Sequence, residues 1–146
     1  MPEEKNFKSV KKTLKKSQEL MDKVREQNEK WHGSGAFEED ITSARKLLAE
    51  MEKVLSDIVA AFSQGSFGYL LNQDIKMEVS QAYNKVRSLM SHLYGDIRRT
   101  HDALSKGQSQ SGDIKTIEIH LKQLTYQCRK TRDHLRDTAR IVNKAH

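Results

Sequence analysis

Residues 114–145 read IKTIEIHLKQLTYQCRKTRDHLRDTARIVNKA, and in them Ile114, Ile117, Leu121, Leu124, Cys128, Thr131, Leu135, Thr138, Val142 and Ala145 recur at alternating steps of three and four. Because about 3.6 residues complete a helical turn, that spacing lines these side chains up on one side of an α-helix. A strand would require strict alternation, which is missing. The unbroken 3-4 rhythm is that of a coiled-coil seam, so the stretch predicts a long helix packed against partners along its whole length.

The same beat runs through the rest of the chain. Phe37, Ile41, Ala44, Leu48, Met51, Leu55, Ile58 and Phe62 form a second seam. Phe7, Val10, Leu14, Met21, Val24 and Trp31 mark another, with polar Ser17 and Asn28 in two of its positions. Four periodic segments, about 4–32, 36–62, 73–105 and 112–145, are separated by gaps containing Gly33-Ser34-Gly35, by Ser63 to Asn72 and by Lys106 to Ser111. Glycine, serine and asparagine in these gaps suit helix ends, with Asn72 placed to cap the third helix. Rods on the order of 45 Å joined by short gaps favour antiparallel neighbours. The predicted fold is all-α: an antiparallel up-down-up-down four-helix bundle with long helices, in one domain over 1–146.

Helix width varies. Leu47, Val54 and Ala61 broaden the second stripe, and Tyr83, Met90, Ile97 and Leu104 the third, whereas the first has only Leu20 beyond its seam. The first helix is therefore expected to be the most loosely held. In the third, the rhythm falters near Gly95, where the apolar positions pass from Leu93 to Ile97 and Leu104; this reads either as a four-residue stutter or slight kink or as a tolerated mid-helix glycine costing roughly 1 kcal/mol against alanine. Gly33-Ser34-Gly35 also admits a reading in which residues 1–32 are a peptide joined to a three-helix domain, and exchange of the first helix between two copies would give a homodimer.

Composition narrows the function classes. The longest wholly apolar run, Ile58 to Phe62, is far short of the roughly 20 residues of a membrane span, so no transmembrane segment is expected. The single cysteine, Cys128, lies on the seam and reads as a buried reduced thiol, consistent with an intracellular, cytoplasmic protein. Lysine and arginine number 26 against 20 aspartates and glutamates, giving a net charge of +6 that favours anionic partners.

That excess is concentrated in two places. Residues 5–16 hold Lys5, Lys8, Lys11, Lys12, Lys15 and Lys16 and no acid, on the side away from the seam. In the last helix Lys115, Lys122, Arg129 and Arg136 recur every seven residues, beside Lys130, Arg132 and Arg140, with Ile119 and Tyr126 on the outer side. Lys8, Lys11, Lys12, Lys15, Lys16, Lys122, Tyr126, Arg129, Arg132 and Arg136 are the candidate binding residues. Cations interleaved with an exposed aromatic can hold a phosphate backbone and stack a base, or cover part of a protein interface.

Catalytic and metal chemistry have little support. Glu29 to His32 gives one Glu-x-x-His, whereas a di-iron bundle requires two and further inward glutamates. His120 and His134 are about 21 Å apart along a helix, and His92 with Asp96 makes only two ligands. No cofactor or metal is expected. Arg87 to His92, and again Arg129 to His134, resemble in spacing the arginine and histidine of all-helical ribonucleases of the HEPN type, where the arginine would steady phosphate and the histidine assist proton transfer. Ser88 and Lys130 stand where such enzymes usually carry asparagine, aspartate or histidine. The leading expectation is a non-enzymatic adaptor or scaffold bundle that offers its loose basic first helix to a protein partner. The alternative is a nucleic-acid-binding protein using basic faces of helices 1 and 4, with or without HEPN-like cleavage.

Overall fold

The computed structural model describes residues 2–30, 37–63, 73–107 and 114–144. These form four helices: α1 (Pro2–Lys30), α2 (Glu38–Ser63), α3 (Gln73–Gly107) and α4 (Ile114–Lys144). The ends agree with the periodic segments to within two residues. Pro2 opens α1, where its missing N–H costs nothing, and Glu3 and Glu4 follow in the first turn. Glu38, Glu39 and Asp40 start α2, where carboxylates complement the positive end of the helix dipole. Trp31, His32, Gly33-Ser34-Gly35, the stretch from Phe67 to Leu71, Asn72 and Ala145 lie outside the described residues.

Contacts between the helices fix their directions. Ser63, in the last turn of α2, donates a hydrogen bond of 2.6 Å to Glu4 in the first turn of α1, and Arg45 meets Asp22 at 3.1 Å, so α1 and α2 are antiparallel. Phe7 packs edge-on against Tyr83, and Thr13 and Lys16 share a groove with Ser91 and Tyr94, so α1 and α3 run parallel. The His134 ring meets the Ala82 carbonyl at 3.2 Å, while His92 and Arg99 face Tyr126 and Lys122, so α3 and α4 are antiparallel. The directions alternate along the chain, giving the all-α four-helix bundle with long helices.

The spatial order differs from the order along the chain. α1 packs against α2 and α3, and α4 packs against α2 and α3. Consecutive α2 and α3 therefore occupy opposite corners, as do α1 and α4. The nine residues between α2 and α3 can reach about 30 Å, against a diagonal of about 14 Å for helices spaced 8–10 Å apart.

The seams are buried as the periodicity predicts, with one exception. In α4 the positions from Ile117 to Val142 are at most 1% exposed, but Ile114, in the first turn, is 49% exposed. In α3 there is no break of helix near Gly95, and the seam does not slip: Val79, Ala82, Val86, Leu89, Leu93, Asp96 and Thr100 keep the 3-4 spacing and all are buried. The rhythm faltered in the sequence only because two seam positions are polar. Thr100 satisfies its hydroxyl on the Asp96 carbonyl at 2.8 Å, and the Asp96 carboxylate is held by Arg99 one turn on.

The first helix is narrow but fully seated. Phe7, Leu14, Met21 and Val24 are at most 1% exposed, and Phe7 stacks on Phe62 with ring centroids 5.5 Å apart. Asn28 accepts a hydrogen bond of 3.2 Å from the Phe37 N–H, tying the end of α1 to the start of α2. Ser17 is likewise buried, with no hydrogen-bond partner for its hydroxyl among the described residues. Phe7→Ala is expected to cost about 3–5 kcal/mol in urea unfolding, the usual result of emptying a buried aromatic site. A loss below about 1 kcal/mol would show α1 to be detachable after all.

Candidate functional site

The two basic surfaces do not join. α1 and α4 stand at opposite corners, so Lys8, Lys11, Lys12, Lys15 and Lys16 face one side of the bundle and Lys122, Tyr126, Arg129, Arg132 and Arg136 the other. Local chemistry also separates them.

On α4 the arginines are partly committed. Arg132 reaches Glu50 of α2 at 3.1 Å and Asp133 at 3.1 Å, and Arg136 approaches the same Glu50 oxygen at 3.6 Å. Burial pulls the Arg132 guanidinium toward its neutral form, but the hydrogen bonds it donates to Glu50 and Asp133 outweigh this and hold the group above its ordinary value. Arg140 pairs with Asp137 at 2.8 Å. Tyr126 and Ile119 are 62% and 57% exposed, and the Lys130 ammonium lies 6.0 Å from the Tyr126 ring centroid, at the edge of cation–π range.

On α1 the charge is largely free. Lys8 pairs with Glu4 at 3.3 Å, and the hydrogen bond from Ser63, then that from Lys8, holds the Glu4 carboxyl below its usual range. Lys5, Lys11, Lys12, Lys15 and Lys16 have no carboxylate partner among the described residues. Their side of α1 borders a groove shared with α2 of about 580 Å³, rimmed by Lys8, Lys11, Lys12 and Lys15 over Leu14 and Val59. At its far end the Gln18 amide donates a 3.0 Å hydrogen bond to Glu52.

The histidines are scattered. His134 is half-buried against the Ala82 carbonyl, and His92 stands exposed in the α3–α4 groove beside Asp96, Arg99, Lys122 and Tyr126. The two Arg…His pairs thus present one histidine to solvent and commit the other to packing. Among the described residues no group of three or more His, Cys, Asp or Glu is placed to hold a metal ion.

A family model described as "Putative ER transporter, 6TM, N-terminal" matches residues 3–132, which include α1, α2, α3 and the first part of α4. The chain belongs to this family. No curated protein and no solved structure matches it. Membership in a family described by an ER transporter with six transmembrane segments overturns three expectations: an adaptor or nucleic-acid-binding function, a protein without transmembrane segments, and a cytoplasmic location. The physical reasons are plain. Every helix here carries a broad charged face beside its buried stripe, and among the described residues none is long and apolar enough to cross a membrane. A lone thiol buried at 0% exposure can form no internal disulfide in any compartment, so Cys128 carried no information about location.

Burial, with a smaller contribution from the negative charge of Asp96, pushes the Cys128 thiol up to about 12. The unfolded thiol ionises near 9.0 while the folded one keeps its proton, so the unfolded state holds fewer protons and stability is lost as pH rises from about 9 toward 12. Ellman's reagent at pH 8 is expected to leave native Cys128 unlabelled and to label it in denaturant. Cys128→Ala should flatten the alkaline loss of stability relative to the parent; an equal loss in both would place its origin in other groups.

Proposed function

We propose that this chain is a non-catalytic, extramembrane helical domain of a transporter-family protein at the ER membrane, the four helices acting as one unit. The family match over 3–132 is the observation that carries this reading. Its description is the support for a membrane, and the amphipathic character of the helices supports a position beside it, since each buries one stripe and turns charged residues outward. The scattered histidines support a binding rather than a catalytic role, since general acid–base chemistry requires groups converging on one reacting atom. The candidate cationic residues then include a surface for anions found at a membrane.

The protein expressed from its own gene and tagged is expected to sediment with ER-derived microsomes and to stay in the pellet after a sodium carbonate wash. Recovery in the soluble fraction before any wash would overturn the assignment.

A further inference from the structure

We propose that the lysine face of α1 is a docking surface for anionic lipid headgroups, and that it, rather than the α4 ridge, is the side of the bundle turned to the membrane. The proposal rests on the reading of the chain as a domain beside a membrane and names the surface that makes the contact.

Three observations carry it. At about 100° per residue, Lys5, Lys8, Lys11, Lys12, Lys15 and Lys16 occupy an arc of about 140°, centred about 160° around the helix from the buried seam that runs from Phe7 to Asn28. With that seam buried, the bundle itself fixes the lysines outward. Second, five of the six have no carboxylate partner among the described residues, so the face meets a partner with its charge uncompensated. The α4 ridge is weaker in this respect, because Glu50 takes both Arg132 and Arg136. Third, the adjoining groove sets four ammonium groups above Leu14 and Val59, which suits a molecule carrying phosphate at one end and hydrocarbon at the other. Among the described residues Glu52 is the one carboxylate lining it, and Gln18 hydrogen-bonds to that carboxylate.

A cluster of four to eight lysines on an amphipathic helix is the pattern that anionic membrane surfaces attract, with each cation adding to affinity and salt screening the whole. The lysine side chains reach from a helix whose position is fixed by the core. Binding therefore requires no unfolding of α1.

The test is flotation of the purified chain with vesicles of phosphatidylcholine alone or with about 30% phosphatidylserine. Binding is expected only to the anionic vesicles, and it should be lost at about 0.5 M salt. Lys11→Gln, Lys12→Gln, Lys15→Gln and Lys16→Gln combined should weaken it several hundred-fold, with the helical circular dichroism and urea midpoint kept because glutamine and lysine have similar helix propensity. Ile119→Ser with Tyr126→Ser should bind like the parent. Equal binding to neutral vesicles, retention in the lysine variant, or loss only in the α4 variant would overturn the proposal. So would binding to single-stranded RNA with none to vesicles. Vesicle binding and microsomal sedimentation are separate readouts: a chain that sediments with the ER but ignores anionic vesicles refutes the docking face and leaves the membrane assignment standing.

Discussion

The structure depends on the closure of four apolar stripes onto one seam. None of the helices is apolar on more than one side, so each is held in place by what it packs against rather than by its own propensity. The Phe7, Phe62 and Tyr83 rings show how this works at one end of the bundle: three helices meet through aromatic contacts 5.5 and 5.6 Å apart. Removing α1 from this arrangement would expose Phe7, Leu14, Met21 and Val24 together. At about 1.5–3 kcal/mol for each large apolar side chain, that exposure outweighs any looseness contributed by Ser17 and Asn28. The seam is thus reserved for folding, and function is left to the outer faces.

Much of this was legible in the sequence, and the misreadings share a cause. The seams of α2 and α4 could be followed residue by residue because nearly every position is apolar or small. The seam of α3 was lost at Asp96 and Thr100, where polar groups are buried with partners from their own helix, Arg99 and the Asp96 carbonyl. A pattern search that equates polar with exposed skips such positions. Asn28 misled in the opposite direction: it reads as a weak point in the α1 seam, yet its side-chain oxygen receives the Phe37 N–H. The diagonal placement of α2 and α3 leaves no trace in periodicity, which reports which face of a helix is buried and nothing about which neighbour buries it.

The candidate site was legible as charge but not as free charge. Lysine and arginine on α1 and α4 look equivalent in the sequence, whereas the fold sets Glu50 of α2 against Arg132 and Arg136 and leaves Lys5, Lys11, Lys12, Lys15 and Lys16 of α1 without carboxylate partners among the described residues. That difference depends on the corner arrangement, in which α2 borders both α1 and α4 but turns different residues to each. Glu52, the carboxylate nearest the α1 lysines in the shared groove, is engaged by Gln18. The membrane connection was invisible for a different reason. It is a property of the family, and amphipathic helices record only the water and the core that they themselves meet.

The geometry also sets what such a domain can do with its charge. Because α1 and α4 lie across the diagonal, a flat anionic surface can meet only one of them at a time. Coulomb attraction favours the face with the greater uncompensated charge, and it decays over a Debye length of about 8 Å at physiological salt, shorter than the bundle is wide. A surface touching the α1 lysines is therefore screened from the α4 ridge. The bundle then acts as an oriented body. Its α4 side, with exposed Ile119 and Tyr126, points away from the headgroups, and its folding seam lies between the two.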